Sequence, residues 1–248
     1  MPNSAPGFAS RPDYRVDLLR ESRRVTVKFG GVTIADSSEA LRVEETGHGP
    51  VYYLPQKDVR LDLTDPSSIA GFAAAVQQRT GRVDGLVNGA GWDQIQPFLE
   101  NPPEMWDRIV AVNLMGAVRL TRGVLSPMVA ARAGKIVNIS SDAGRVGSMG
   151  ETVYAAAKGG LIAFTKSLAR ELARYQINVN CVCPGPTDTP LFQRQPERMK
   201  QALTRAIPFR RIAQPIEIAQ AVLFFLSRRS DYITGQVLSV SGGLTMVD

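Results

Sequence analysis

Tyr154 and Lys158 stand four residues apart at the opening of an alanine-rich run, VYAAAKGG, and Ser141 precedes them across the glycine-studded stretch SDAGRVGSMGE. On a helix such a pair shares one face. A lysine ammonium beside a phenol favours the phenolate, drawing down a pKa that starts near 10. A tyrosine tuned in that way can serve as acid or base near neutral pH. A serine hydroxyl close by could hold the substrate oxygen that receives or gives up the proton. The same spacing also describes a surface tyrosine and lysine that pack and do nothing, and spacing alone leaves that reading ahead.

Something must hold these residues in place, and from Leu61 onward the chain supplies regular elements. In DLTDPSSIAGFAAAVQQRTG, Asp65 is a helix N-cap and Pro66 the first helical residue. Ile69, Phe72 and Val76 follow at helical spacing, and Gly81 closes the helix. VDGLVNGAG is a short strand running into glycines. Asn101 and Pro102 are expected to open the next helix, with Glu104 completing a capping box and apolar residues continuing through Ile109, Val112, Leu120, Val124 and Met128. KIVNIS is a strand, a helix runs from Thr152 to about Tyr175, and INVNCVC is the next strand. A helix over about 215–227 and the strand QVLSVSGG finish the chain.

Strands alternating with long helices predict an α/β fold, a Rossmann-like doubly wound parallel sheet covered on both faces. In such sheets ligands collect beyond the carboxyl ends of the strands. Asp62, Asn88-Gly89-Ala90-Gly91, Ser140-Ser141 and Pro184-Gly185 fall at four consecutive ends of this kind. A single glycine after a strand usually only makes a turn; four such ends together point to a site.

The first quarter has a different character. Residues 1–22 are polar and read as loose. RVTVKFGGVTIADS reads as two alternating strands with Gly30-Gly31 in a hairpin turn. Leu41 and Val43 alternate, TGHG turns the chain, and VYYL is a further strand. The predicted organisation is a small antiparallel β segment over 1–60, a partial domain, followed by the α/β layer over 61–248.

Composition narrows the function classes. With 248 residues and 44% hydrophobic content the chain can build a core, which excludes general disorder. The net charge of +6 comes from scattered residues, so it argues for no nucleic-acid partner and suits an anionic small molecule equally well. Cys181 and Cys183, two apart in a strand, are poorly spaced for a disulfide and lack further ligands for a metal site. They read as buried, reduced thiols of a cytoplasmic protein. MPNSAPGFAS lacks the features of a signal peptide, and no stretch reads as a membrane span.

YAAAK with a serine thirteen residues upstream, NLMG at 113–116, the PG turn at 184–185 and the terminal SGG together resemble the short-chain dehydrogenase/reductase family. The resemblance runs from about Leu61 to the C-terminus. It implies that Tyr154 is the proton donor or acceptor and that Ser141 orients the carbonyl or alcohol. Lys158 would lower the tyrosine pKa and bind the nicotinamide ribose, and Asn113 would hold a water in the proton relay. Asp62 and Leu63 resemble the adenine-contacting pair. Asn88, Ala90 and Gly91 resemble the cofactor-side loop, with Gly89 in place of the usual second asparagine, and Pro184, Gly185 and Thr187 complete the cofactor set. The implied cofactor is NAD or NADP.

GWDQIQPF, SSDAGRVGSMGETVYAAAKGG and PGPTDTPLFQ are similar to one subgroup, which oxidises 2-hydroxycyclohexanecarboxyl-CoA; members acting on other 3-hydroxyacyl thioesters are close to it, and the subgroup favours NAD. LFQRQPERMKQALTRAIPFRR falls where the family places its substrate lid. Arg194, Arg198 and Lys200 would suit an anionic acyl thioester there, or simply line a solvated helix face. Trp92 would wall the acyl pocket or belong to the core. The family further implies a homotetramer or homodimer in which helices near 104–131 and 151–175 pair.

One family feature is missing. The strand followed by TGxxxGxG and a helix, whose backbone N–H groups take the pyrophosphate, has no counterpart in the sequence. In its place, RVTVKFGGVTIADSSEALRVEETGHGPVYYLPQKDVR resembles the opening of a small bacterial β-rich domain family of unassigned function. The sequence therefore reads as a fusion near residues 60–62 onto an N-terminally truncated dehydrogenase, with pairing edges of its sheet exposed. A catalytically inactive fusion, or a binding or assembly protein, is the rival expectation.

Overall fold

The computed structural model describes residues 16–20, 22, 25–29, 32–39, 41–45, 51–53 and 61–247. It divides into two compact units, Met1–Asp62 and Leu63–Asp248.

The first unit is antiparallel. β2 (Val25–Phe29) and β3 (Val32–Ser37) pair with Phe29 opposite Val32 and a register shift between Val27 and Lys28. β1 (Val16–Arg20), β4 (Leu41–Glu45) and β5 (Val51–Tyr53) form a second sheet in the order β1-β4-β5. The Gly30-Gly31 and TGHG turns lie outside the described residues. β1 corrects the expectation of a loose segment over 1–22. VDLLR carries no turn signal on either flank, and its strand form comes from a distant partner, Val16 to Arg20 pairing with Glu45 to Leu41.

The second unit opens with α1 (Pro66–Thr80). Asp65 accepts hydrogen bonds from the backbone N–H groups of Ser67 at 2.8 Å and Ser68 at 3.2 Å. Gly81 closes the helix at φ 66°, its N–H donating to Gln77 O, a left-handed conformation that glycine adopts without steric cost. β6 (Gly85–Asn88) follows, then α2 (Pro103–Val110), a π turn over Ala111–Met115 and α3 (Gly116–Ala131). The expected capping box at 101–104 does not form. Pro102 occupies the cap position and Pro103 begins the helix, while the Asn101 amide turns back to the carbonyls of Gln96 and Pro97. Two consecutive prolines fix the approach, so no side-chain cap is needed to start the turn.

β7 (Gly134–Ile139), α4 (Ala143–Val146), α5 (Thr152–Leu172) and β8 (Ile177–Pro184) come next. The short α6 (Pro190–Gln193), α7 (Glu197–Ala206), α8 (Pro215–Leu226) and β9 (Val237–Val240) complete the unit. The four strands form one parallel sheet in the order β6-β7-β8-β9. Its register aligns Asn88 with Asn138 and Asn138 with Cys181.

Alternation along the strands sends side chains to two cores. On one face Met128, Ile136, Ala169, Leu172, Ile177 and Val179 pack α3 and α5 against the sheet. On the other, Val137 and Val182 meet Phe225 of α8. Each fully buried aliphatic side chain here contributes about 1.5–3 kcal/mol relative to exposure. Among the described residues β6 is the edge strand of this sheet, and its Val87 is 42% exposed. Leu61 and Asp62 lie in no strand, so no strand finishes at Asp62; the residues just before them lie outside the described ones.

Among the described residues one helical run, Pro103–Ala131, is long and apolar enough by length and composition alone to cross a membrane. Its buried polar groups identify it as a core helix. Asn113 and Thr121 are each 1% exposed, and both are hydrogen-bonded inside the fold. A bilayer would offer such groups no partners.

Candidate active site

The site lies where β7 and β8 end and α5 begins. Ser140, just past β7, is buried and donates from its hydroxyl to Lys158 O at 2.8 Å, tying the strand end to the first turns of α5. Gly144 makes the tightest approach. A Cβ there would sit 2.7 Å from the Lys158 carbonyl carbon and 2.8 Å from the Gly159 nitrogen. Only a residue without a side chain lets α4 lie this close to α5.

Three of the expected residues come together on this frame. The Ser141 hydroxyl lies close enough to act on the Tyr154 phenol, and Ser141 Oγ accepts from Ala143 N–H at 3.2 Å. Lys158 is 3% exposed. Its Nζ donates to Ile139 O at 2.9 Å and lies 5.6 Å from the centre of the Tyr154 ring.

The electrostatics depart from the expectation that Lys158 draws the phenol down. Burial holds Tyr154 well above the ordinary tyrosine value; the Ser141 hydroxyl partly opposes this, and the Glu151 and Asp93 charges reinforce it. Burial in turn pushes Lys158 down to about 8, with Cys181 and Cys183 acting in the opposite direction. Desolvation is the largest influence on both groups, because burial strips each charged form of its hydration. Tyr154 therefore keeps its proton across the neutral range.

Asn113, in the π turn, is 1% exposed and its side chain is held by the protein. Its Nδ2 donates to Trp92 O at 2.6 Å and to Ile109 O at 2.9 Å, and its Oδ1 accepts from Trp92 N–H at 3.2 Å. The side-chain amide thus clamps the loop after β6. Gly91 passes just above this clamp. A Cβ there would lie 3.2 Å from Asn113 Oδ1 and 3.5 Å from Lys158 Nζ, so the exposed backbone at Ala90 and Gly91 borders the lysine directly.

Asn88 is a structural node. Its Nδ2 donates to Thr121 Oγ1 and Asn138 Oδ1, and Asn138 donates on to Thr165, which closes on Leu161 O. Its Oδ1 is buried without a partner. Pro184, Gly185 and Thr187 form a self-tied turn: Pro184 O accepts from Asp142 N–H, and Gly185 O accepts from Thr187 Oγ1. A Cβ on Gly185 would meet Ser241 Cβ at 2.8 Å, so its glycine is required by packing against the chain past β9. Leu63 packs against the start of α3, its Cβ 3.0 Å from where a Gly116 Cβ would stand. Asp62 is exposed, in the irregular segment that ends the first unit.

Trp92 packs with Tyr154, Met105 and Ile109, and the Arg108 guanidinium covers its ring at 4.1 Å. A separate groove of about 460 Å³ lies between α6 and α7, lined by Phe192, Gln193, Lys200, Thr204, Arg205 and Ile212. Lys200 is paired there with Glu197 at 2.8 Å. Arg194 and Arg198 are exposed and do not line the groove.

Sequence reasoning missed Asp93. It is 8% exposed, and neither carboxylate oxygen has a hydrogen-bond partner in bonding geometry. Burial, then the facing Glu151 carboxyl, push its pKa up to about 7. An aspartate in a loop reads as a turn residue, and only its neighbour Trp92 hinted at a pocket. Cys181 and Cys183 are free and buried, their sulfurs 4.0 Å apart.

A nicotinamide dinucleotide fits one end of this arrangement. The hydroxyls of Ser141 and Tyr154, the Lys158 ammonium and the open Gly91 backbone converge as a carbonyl and a ribose would require. The pyrophosphate end finds no comparable cradle among the described residues: α1 opens on the Asp65 carboxylate, which already occupies the N–H groups of Ser67 and Ser68. A carboxylate at that position repels phosphate.

A family model described as enoyl-(acyl carrier protein) reductase matches residues 31–245, beginning upstream of the motifs that start at Leu61. The chain is similar to the 3-oxoacyl-[acyl-carrier-protein] reductase FabG of Thermotoga maritima, at 41% identity over 186 residues, 75% of this chain and 76% of the relative. It is similar to the acetoacetyl-CoA reductase of an Acinetobacter species at 41% over 192 residues, 76% and 77% of the two chains. The FabG protein of Chlamydia muridarum matches at 39% over 207 residues, 81% and 84% of the two chains.

Proposed function

The chain belongs to the short-chain dehydrogenase/reductase family of NAD(P)-dependent oxidoreductases, and from that premise we propose that it interconverts the ketone and secondary alcohol of an acyl thioester. The observation that carries this reading is the Ser141 hydroxyl set against the Tyr154 phenol, with the buried Lys158 one turn further along the same helix, its Nζ 5.6 Å from the phenol ring centre. The relatives named for 3-oxoacyl and acetoacetyl thioesters support the substrate class. A 3-oxoacyl- or 3-hydroxyacyl-CoA is the general substrate, and 2-hydroxycyclohexanecarboxyl-CoA is the particular one that the loop sequences GWDQIQPF and PGPTDTPLFQ favour.

When bound, the nicotinamide supplies or accepts the hydride. The chain's own residues manage the proton and the oxygen. Ser141 Oγ–H donates to the substrate oxygen and fixes its distance from Tyr154. The Tyr154 phenol gives its proton to that oxygen in reduction and takes it back in oxidation. Lys158 holds the ribose hydroxyls and stabilises the phenolate left after transfer. Asn113 acts through Trp92, keeping the loop at Ala90 and Gly91 against the lysine. NAD is the favoured cofactor, and the assembly is a homotetramer or homodimer of a cytoplasmic protein.

A second reading is an acyl-thioester-binding assembly protein without turnover, favoured by the acid-capped start of α1 and the missing glycine-rich turn. Calorimetric titration with NAD and NADP, followed by turnover of 3-hydroxybutyryl-CoA, separates the two. The enzyme reading expects cofactor binding and a rate lost in Tyr154→Phe. A folded sample that binds acyl-CoA but neither dinucleotide at millimolar concentration would leave only the second.

A further inference from the structure

Beside the hydroxyl pair lies a group that the proton chemistry does not use. Asp93 follows Trp92, whose backbone is clamped by Asn113 from both sides. Three residues beyond Asp93, Gln96 N–H donates to Gly150 O at 3.0 Å, and a Cβ on Gly150 would touch Ile95 Cγ2 at 2.9 Å. The loop after β6 is thus pressed against the segment that leads into α5. Asp93 accordingly faces Glu151, and its charge acts on the phenol of Tyr154, one helical turn beyond Glu151.

The carboxyl is more than nine-tenths buried, and both of its oxygens lack a hydrogen-bond partner. Leaving a buried polar group unpaired costs about 1–3 kcal/mol, more for a charged one, and native folds rarely retain such a group without use. The ionisable groups around it are Glu151 ahead of α5, Tyr154 within α5 and Arg108 of α2, which is occupied over the Trp92 ring. The Glu151 carboxyl and the Gln94 N–H lie close enough to act on it, but neither reaches it in hydrogen-bonding geometry, and burial together with Glu151 favours the neutral acid, which is a donor.

We infer that Asp93 is a specificity-determining residue whose carboxyl donates a hydrogen bond to the thioester carbonyl of the bound substrate, distinct from the oxygen held by Ser141 and Tyr154. This rests on the acyl-thioester reading above and deepens it. In a 3-oxoacyl or 3-hydroxyacyl thioester the two oxygens are separated by one methylene, so a second polar group beside the hydroxyl pair is what such a substrate needs. A simple ketone or alcohol has no group for Asp93 and leaves it unsatisfied, and a site built to bond one substrate group discriminates strongly against analogues lacking it.

The test uses the full chain and two probes: 3-hydroxybutyryl-CoA, and its thioether analogue with methylene in place of the acyl carbonyl. Each is titrated calorimetrically into the wild type, Asp93→Asn and Asp93→Leu. The expected result is thioester binding about tenfold weaker in Asp93→Leu and largely retained in Asp93→Asn, whose amide still donates. The thioether should bind all three proteins alike, and more weakly than the thioester binds the wild type. Equal losses for both probes, or no loss for either, would overturn the role of Asp93 while leaving the acyl-thioester reading intact. Failure of the wild type to bind either probe would overturn both. Circular dichroism and thermal melting guard the comparison: the two variants should melt at or above the wild-type temperature, since each removes a buried, unpaired acid. A variant that melts well below it would overturn the claim that the carboxyl is unsatisfied in the free protein.

Discussion

The Asn113 side chain grips the backbone of Trp92 from both sides, donating to its carbonyl at 2.6 Å and accepting from its N–H at 3.2 Å. This contact sets the height of the loop that carries Ala90, Gly91 and Asp93. In Asn113→Leu, two backbone groups of Trp92 and the carbonyl of Ile109 lose their partner. The expected loss of stability is about 2–4 kcal/mol, read as a lower denaturation midpoint. Asn113→Asp keeps the acceptor but removes the donor and should fall between the two proteins.

The buried polar ladder from Asn88 through Asn138 to Thr165 makes a second prediction. Asn138 is 0% exposed and links β6, β7 and α5 through its two hydrogen bonds. Asn138→Leu should destabilise the second unit by about 2–3 kcal/mol, because Asn88 Nδ2 then keeps only Thr121 and the Thr165 hydroxyl loses its donor. Asn88→Ala on top of Asn138→Leu should cost less than the sum of the two single changes. Strict additivity in a double-mutant cycle would show that these side chains do not act as one network.

How much of this was legible beforehand follows from what each signal measures. The parallel layer from Leu61 onward was readable because caps and periodicity are local: Asp65, Pro66 and Gly81 each act on their own turn. The Ser141, Tyr154 and Lys158 set was readable from spacing joined to a family pattern. β1 was not, since its form depends on β4 some twenty-five residues away. Nor was the clamp of Asn113 on Trp92, a contact across twenty-one positions. The sign of the tyrosine shift was missed for a related reason. Spacing announces a lysine nearby, whereas burial, the larger influence, exists only in the folded chain.

Gly144 tests the closeness of α4 to α5. Its missing Cβ faces backbone atoms of Lys158 and Gly159 at 2.7 and 2.8 Å, and backbone cannot swing aside as a side-chain tip can. Gly144→Ala should cost about 1–3 kcal/mol and shift Lys158 relative to Ser140. Gly81→Ala, by contrast, meets open space and pays only for its positive φ, about 1 kcal/mol. Melting temperatures of the two variants should rank in that order.

The last prediction concerns pH. Lys158, lowered by burial to about 8, is a cation below that value and neutral above it. Tyr154 is raised, so it keeps its proton across the same range. Carbonyl reduction needs the phenol protonated and the ammonium present to stabilise the phenolate formed on transfer. Both conditions hold below about pH 8, and the second fails as the pH rises through it. The reductive rate at saturating substrate should therefore be level near neutrality and fall above about pH 8. Folding stability runs the other way: a lysine with a depressed folded-state pKa binds fewer protons folded than unfolded between about 8 and its ordinary value of 10.5, so its contribution to stability rises with pH across that window. Lys158→Arg, which stays charged throughout, should move the fall in rate to higher pH, or abolish activity if the larger head displaces the Ile139 contact. A wild-type rate that climbs steadily through pH 9 in the reductive direction would show that the lysine charge is not what the proton transfer requires.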